Sequence, residues 1–176
     1  LKEVFSEIES YFHEKSSGID PLNSYIGSPI LIESKDEIKI IKLPFQDTKS
    51  NRGLFIIDSG KPAETGNLIK IFLDSFKDNY FSDNFQKKFI LPTNHCVDSL
   101  IKSEFNLFSK NFMTLSQFVM QKLNPMIPSV LNKIWKRGLN TGSYYLKLCG
   151  SGGGGYLIGF SNDLNKAKKE LIDYKS

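Results

Sequence analysis

The pattern of apolar and polar positions predicts alternating helices and strands along the chain. Near the start, apolar residues recur at helical intervals and form one stripe: Leu1, Phe5, Ile8 and Phe12. Two short apolar stretches follow, at 29–33 and 37–43. The Ser34-Lys35-Asp36 turn between them predicts a β-hairpin.

Beyond residue 52 the pattern predicts a strand, Gly53 to Asp58, and then a series of helices. Three apolar stripes are expected, made by Leu68, Ile69, Phe72 and Phe76, by Val97, Leu100, Ile101 and Phe108, and by Phe112, Leu115, Val119 and Leu123. A further helix follows Pro125 and Pro128, is predicted to end at Gly138, and carries Val130, Leu131, Ile134 and Trp135. A glycine-rich segment and a last helix over 163–174 complete the chain.

The order strand, helices, hairpin and helix is typical of an α+β fold, and we expect a two-layer sandwich of the ferredoxin-like kind. Such a sheet has a closing fourth strand, which the pattern does not supply. Charged and turn-forming residues replace the apolar periodicity at 46–52. We therefore predict two domains, 1–48 and 49–176, of which the first is the tail of a larger N-terminal domain.

The glycine-rich segment places five glycines in the six positions 150–155, between the strand-like stretches 146–148 and 156–160. Glycine tolerates positive φ and lets the backbone approach a ligand closely, so this loop could direct N–H groups at a phosphate. A flexible linker is disfavoured because both flanks are apolar. The spacing formally fits a dinucleotide-binding motif, but the following stretch is too short and apolar for the required helix, and no Gly-Lys-Ser/Thr closes a Walker loop.

The segment 147–155, Lys-Leu-Cys-Gly-Ser-Gly-Gly-Gly-Gly, resembles the C-terminal signature of the galactokinase, homoserine kinase, mevalonate kinase and phosphomevalonate kinase (GHMP) superfamily. Cys149 stands where that signature usually has Ser or Thr. The segment 58–65 resembles a mevalonate kinase motif of the form T-x-x-P-x-x-T. The segment 9–20 resembles a third mevalonate kinase motif, with Glu14 in place of Gly and matches at Glu9, His13, Ser17, Gly18 and Asp20.

The resemblance implies an ATP-dependent kinase that converts mevalonate to phosphomevalonate in isoprenoid biosynthesis, with ATP and Mg²⁺ as cofactors. It implies that Asp20 orients or deprotonates the substrate hydroxyl and that Glu9 binds magnesium. The implied substrate-binding residues are His13, Ser17, Gly18, Ser59 and Thr65. The implied phosphate-binding loop comprises Gly150, Ser151, Gly152, Gly153, Gly154 and Gly155.

Simpler interpretations exist for each residue. Glu9 could be a solvated helical charge, His13 a helix-end residue, Asp20 a turn residue and Thr65 an N-cap. Spacing nevertheless places Glu9 and His13 on one helix face, and Gly18 permits a turn that directs Asp20 back toward that helix. Phosphomevalonate kinase, diphosphomevalonate decarboxylase, a catalytically silent ligand-binding paralogue and a structural interaction module remain as alternatives.

The superfamily also has an N-terminal lysine-containing strand and a central glycine loop that wraps ATP phosphates, and neither pattern occurs in this sequence. We therefore expect a C-terminal portion of a longer kinase, inactive alone, whose partner is the N-terminal half of the same polypeptide. A homodimer is also possible.

Composition agrees with a globular cytoplasmic protein. The 176 residues are 40% hydrophobic with 14 Phe, which argues against disorder, and no apolar run approaches the ~20 residues of a membrane span. The net charge of +4 is mild and the basic residues are scattered, so neither nucleic acid nor membrane is an expected partner. Two distant cysteines, Cys96 and Cys149, do not indicate a disulfide framework.

Overall fold

The computed structural model of the chain describes residues 1–11, 16–34, 37–44, 50–62, 65–150, 152–172 and 174, with backbone alone at 65–67. Contacts between Cα atoms divide the chain into two compact units, Leu1–Pro44 and Phe45–Ser176. Each unit is described by itself. The assignment of 1–48 and 49–176 to two kinase domains stays a prediction.

The first unit contains two helices and a hairpin: α1 Lys2–Ser10, α2 Ile19–Ile26, β1 Ile30–Ile32 and β2 Ile38–Ile40. The strands pair antiparallel with Ile30 opposite Ile40, which confirms the predicted hairpin. Gly18 precedes α2 with φ of 68°, and a Cβ on it would lie 2.4 Å from the Lys2 carbonyl oxygen. Both its conformation and its approach to α1 therefore require glycine.

The apolar stripe predicted for α1 does not form a core in this unit. None of the residues of α1 is buried, and Leu1, Val4 and Ile8 are each more than half exposed. Phe12, the last member of the predicted stripe, lies outside the described residues. The one buried apolar side chain among the described residues of this unit is Leu22, on α2.

The second unit begins with the predicted strand and continues with mostly helical structure. Its elements before the glycine loop are β3 Gly53–Asp58, α3 Thr65–Ser75, α4 Asn79–Phe85, a π-helical segment Gln86–Ile90, α5 Leu91–Ile101, α6 Phe105–Lys122, 3₁₀ turns at Asn124–Met126 and Ser129–Leu131, α7 Asn132–Thr141 and β4 Tyr145–Leu148. After the loop come β5 Tyr156–Ser161 and α8 Leu164–Leu171. The predicted α+β class is confirmed.

The described strands of this unit form an antiparallel sheet in the order β3, β5, β4. Residues directly opposite one another share a face, and Leu54, Phe160 and Tyr145 lie in such a row and pack with the aromatic side chains of α6. The alternate positions, including Phe55 and Leu157, pack in a second cluster with side chains that include Trp135 and Tyr144. Both faces of the sheet therefore contribute to apolar clusters.

The predicted stripe that joined Val97, Leu100 and Ile101 to Phe108 is wrong, because two helices share it. α5 ends at Ile101, Ser103 has a φ of 62°, and the chain restarts as α6 at Phe105. Phe108 thus shares a helix with Phe112 and Leu115. A serine at positive φ is uncommon, so composition gives no sign of this break.

The helix after Pro128 also differs from the prediction. Val130 and Leu131 lie in a 3₁₀ turn before α7, and α7 continues past Gly138 to Thr141. Gly138 is buried within the helix, where a Cβ would lie 2.5 Å from the Tyr144 ring. The residue that ends the helix is Gly142, with φ of 64° and its N–H bonded to the Gly138 carbonyl. Gly138 therefore serves close packing rather than termination.

Candidate functional site

The glycine loop joins β4, which ends at Leu148, to β5, which begins at Tyr156. The two strands pair antiparallel, so the predicted hairpin is confirmed, and the strand that follows the loop excludes a dinucleotide-binding helix. Four of its glycines have φ between 66° and 77°, a region that disfavours residues with a Cβ: Gly150, Gly152, Gly153 and Gly155.

One side of the loop is bonded to the segment that follows β3. The Ser59 N–H donates to the Gly155 carbonyl at 2.9 Å, and the Gly155 N–H donates to the Lys61 carbonyl at 2.7 Å. A Cβ on Gly154 would lie 2.1 Å from the Pro62 carbonyl oxygen. The segment that resembles the second kinase motif therefore lies in backbone contact with the glycine loop.

The other side of the loop lies against the 3₁₀ turn at Met126. The Gly153 N–H donates to the Met126 carbonyl at 2.7 Å, and a Cβ on Gly152 would lie 2.4 Å from the same oxygen. From the sequence, the neighbouring Pro125 and Pro128 predict only the start of the next helix. Two prolines three positions apart fix a short turn, and that spacing was the available clue to a third loop at this place.

These contacts explain why several positions of the run are glycine, and the explanation requires no bound ligand. Gly153 and Gly155 direct their N–H groups at protein carbonyls, so an anion bound by the loop would have to use the N–H groups of Gly150, Gly152 and Gly154. Ser151 lies outside the described residues. The phosphate-binding role of the loop stays a prediction.

Among the described residues, two cavities border the loop, and each is lined by one lysine. The first is here called the polar cavity because its wall is more polar than that of the second. It has a volume of about 400 Å³ and is lined by Lys61, Ser129 and Gly153 together with proline, leucine and isoleucine residues. The second, here called the apolar cavity, has a volume of about 220 Å³ and is bordered by Lys147 and Gly150. Lys61, Ser129 and Lys147 are not among the functional residues predicted from the sequence, although Lys61 and Lys147 lie inside the motif-like segments 58–65 and 147–155.

Ser59 and Thr65 were predicted to bind substrate. Ser59 is 4% exposed, and its hydroxyl donates to the Lys61 carbonyl at 3.2 Å and accepts from the Lys61 N–H at 3.3 Å. These bonds build the turn that contacts the glycine loop. Thr65 is the first residue of α3, and its side chain lies outside the described part of the structure. Both binding roles stay predictions.

In the first unit, the Glu9 side chain connects α1 to the segment 16–18 through a hydrogen bond. Its Oε2 accepts a hydrogen bond from the Ser16 hydroxyl, and that hydroxyl oxygen accepts the Gly18 N–H at 3.1 Å. The Ser6 hydroxyl donates to the Ser16 carbonyl at 2.6 Å. A structural role for the Glu9 carboxylate is therefore visible, and the other carboxylate oxygen is the one left for a metal.

Asp20 lies in the first turn of α2 and is exposed. The positive end of the helix dipole favours a carboxylate there. Ser17 is also exposed, and its hydroxyl oxygen accepts the Ile19 N–H at 3.4 Å. His13 lies outside the described residues. The role of Asp20 toward the substrate hydroxyl stays a prediction.

The described residues contain no protein-only metal cage. Among residues 1–11, 16–34 and the other described ranges, no group of three His, Cys, Asp or Glu side chains could hold a metal. Magnesium commonly uses one or two protein carboxylates with phosphate and water oxygens as its other ligands. The role of Glu9 as one such protein ligand stays a prediction.

The two cysteines are free and differ in environment. Cys149 is exposed directly after β4, whereas Cys96 on α5 is 7% exposed. Burial raises the pKa of the Cys96 thiol to about 12, and the charge of Lys147 opposes this rise.

We predict that Gly154→Ala destabilises the protein by about 1–3 kcal/mol, because its methyl group must displace the Pro62 carbonyl. The matched control is Gly53→Ala, which is also at ordinary φ and would meet only a Leu164 methyl at 3.3 Å. Urea unfolding of both variants measures the difference. A Gly154→Ala protein as stable as the Gly53→Ala control would contradict the close approach of the two loops.

We also predict selective alkylation of Cys149 by iodoacetamide at pH 8 in the folded protein. Only the thiolate reacts, and a pKa of about 12 leaves roughly one Cys96 thiol in 10⁴ ionised at that pH. Peptide mass spectrometry reports the modified residue, and a urea-unfolded sample, in which both should react, is the control. Equal modification of both cysteines in the folded state would show that α5 does not bury Cys96.

Comparisons with known proteins bear on the second unit most directly. Residues 97–171 match the family model described as GHMP kinases C terminal. The matched segment runs from within α5 to the end of α8 and includes the glycine hairpin, but it covers less than half of the chain. No curated protein matches the sequence significantly.

The helices in the described part of the chain are all too short or too polar to be a membrane span.

One solved structure is similar to nearly the whole chain. It is the crystal structure of a Lin0012 protein from Listeria innocua, which aligns over 90% of this chain with a TM-score of 0.61 and 16% sequence identity. At this identity the likeness concerns the fold alone. This chain spans 46% of that protein's length. The family-model match shows a likeness to the C-terminal domain of GHMP kinases over residues 97–171, and neither comparison identifies mevalonate kinase.

Proposed function

We propose that this chain is the C-terminal portion of an ATP-dependent small-molecule kinase, most like mevalonate kinase. The observation that carries the proposal is the match of residues 97–171 to the GHMP kinase C-terminal family model, since that match contains the glycine hairpin. The backbone bonds between this hairpin and the 59–62 segment support it further, because they join two of the three motif-like segments.

In the proposed reaction the substrate hydroxyl oxygen attacks the γ-phosphorus of ATP while the bond to ADP breaks. The hydroxyl proton passes to the Asp20 carboxylate, whose exposed position at the start of α2 suits a base that meets substrate. Magnesium, when bound, neutralises charge on the phosphates. Glu9 would be one protein ligand for it through the carboxylate oxygen that Ser16 does not occupy.

We assign the anionic part of the bound ligands to the polar cavity. Lys61 lines this cavity and could supply positive charge there, and Ser129 and Gly153 border the same space. The remaining glycine N–H groups would add phosphate contacts from the adjoining loop. Ser17, Gly18 and His13 stay proposed substrate contacts of the first unit.

The rest of the active site is proposed to come from an N-terminal half of the same polypeptide. Two findings support this: the chain spans 46% of the similar solved structure, and the first unit leaves apolar residues exposed, including Leu1, Ile8 and Ile40. A ferredoxin-like fold for the second unit is part of the same proposal. Its described strands follow the order first, third, second, and the free side of β3 is where a fourth strand would pair.

The decisive experiment uses the complete polypeptide that contains this chain. We expect Asp20→Asn to lower kcat by roughly 10²–10⁴-fold, because the substrate proton loses its acceptor, while the Kd for ATP is little changed. Glu3→Gln is the matched control, since Glu3 is an exposed carboxylate in the first turn of α1. Coupled ADP release and nucleotide titration give the two quantities, with mevalonate as substrate.

Equal kcat values for the Asp20→Asn and Glu3→Gln proteins would contradict the role of Asp20. Turnover with phosphomevalonate or diphosphomevalonate in place of mevalonate would assign a sister reaction of the same superfamily. Nucleotide binding without any turnover would identify a silent paralogue. Turnover by the 176-residue chain alone would contradict the proposal that part of the site lies outside it.

A further inference from the structure

The apolar cavity beside Gly150 is a second candidate binding site of the second unit. It has a volume of about 220 Å³, is partly open to solvent, and lies between α3, the π-helical segment, the end of α6 and β4. Its walls include Phe72, Phe89, Val119, Leu123 and Met126. Concave sites with mostly apolar walls and a few polar groups are typical of small-molecule binding.

The aromatic walls of the cavity are held in place by ring contacts. Phe89 stacks on Phe85 with centroids 4.8 Å apart, and Phe72 meets Phe85 edge to face at 5.5 Å. Phe89 lies on the π-helical segment, a departure from α-helical geometry that often occurs at functional sites. Because the rings support one another, the cavity is preformed and does not depend on a ligand to open it.

One cation borders this apolar space. Lys147 is one of the residues that line the cavity, and its ammonium donates to the carbonyl of Leu148, another lining residue, at 3.3 Å. Among the described residues, the lysine–carboxylate pairs involve Lys39 and Lys77, and none involves Lys147. Burial lowers the pKa of Lys147, which means that its charge is poorly solvated where it lies. Lys147 is half-buried, and a charge that is partly withdrawn from water without a counter-ion is unfavourable, so a bound anion would offset that cost.

We propose that the apolar cavity binds a small amphiphile, with an anionic head at Lys147 and a short alkyl chain between Phe72, Phe89 and Val119. An apolar cavity of about 150 Å³ is known to accept benzene, so this one suits a chain of roughly six to eight carbons. We expect the head of the ligand to be one small anionic group, because a single lysine borders the cavity among the described residues. A carboxylate and a phosphate monoester share this chemistry. The inference does not depend on the proposed kinase activity.

The experiment titrates the full 176-residue chain, without nucleotide, with three probes of equal chain length. Octanoate and octyl phosphate carry the anion, and octanol lacks it. We expect both anions to bind at least about tenfold more tightly than octanol, since a charge-assisted hydrogen bond is formed only with them. The stronger of the two anions identifies the head group. Calorimetry and chemical-shift changes at Phe72 and Phe89 report affinity and place.

Three variants sharpen the assignment. Lys147→Met should reduce anion affinity to that of octanol and leave octanol binding unchanged. Ile69→Trp should weaken all three probes by occupying the rim, and it is expected to fold because Ile69 is 46% exposed. Lys168→Met is the matched control, since Lys168 lines a different apolar groove on α8 and its loss should change nothing.

The proposal is overturned if no probe binds up to its solubility limit, or if octanol binds as tightly as the anions. It is also overturned if Lys147→Met and Lys168→Met behave alike. Circular dichroism of each variant confirms folding before titration, and the Ile69→Trp result decides the matter if Lys147→Met does not fold. Failure of these titrations would leave the Asp20 test of the kinase proposal unaffected.

Discussion

The candidate site of the second unit depends on close contacts between the main-chain atoms of three loops. The N–H groups of Gly153 and Gly155 bond to the carbonyls of Met126 and Lys61, each at 2.7 Å. The intervening Gly154 lies so close to the Pro62 carbonyl that a Cβ could not fit. Three separate loops are thereby fixed to one another through main-chain atoms, and the cavities on either side take their shape from that arrangement.

This constraint gives the glycine run two tasks. Some glycines hold the loop against its neighbours, while the others are left to meet a ligand. The same loop separates a polar cavity that contains Lys61 from an apolar cavity that contains Lys147. Side chains at Gly152 and Gly154 would collide with the Met126 and Pro62 carbonyls, so the neighbouring segments could not stay this close to a loop of ordinary residues. The chemistry proposed for each cavity therefore rests on one piece of backbone geometry.

Local patterns in the sequence were sufficient to predict the hairpins and the strand Gly53–Asp58. Apolar flanks and turn residues determine such elements locally. The same reasoning failed where tertiary contacts decide the outcome. Ser103 adopts positive φ between α5 and α6, and Gly138 stays within α7 because Tyr144 packs against it. Neither the conformation of Ser103 nor the packing of Tyr144 on Gly138 can be deduced from the pattern of apolar positions.

The candidate site was predicted in a similarly uneven way. The glycine loop and the 58–65 segment were found by resemblance, and their mutual hydrogen bonds give that pairing a physical basis. The Met126 turn and the cavity at Lys147 were not found, because they bring together residues from elements far apart in the chain. The Glu9 carboxylate accepts a hydrogen bond from the Ser16 hydroxyl, and Ser16 lies outside α1, so the helical spacing that was used to place Glu9 could not predict this contact.

Amide hydrogen exchange at Gly153 and Gly155 tests the central claim most directly, because each N–H is directed at a protein carbonyl. The account predicts that both amides exchange at least about 10²-fold more slowly than the same sequence in an unfolded peptide. Exchange of both amides at the unfolded rate, in a protein whose β5 amides are protected, would contradict it.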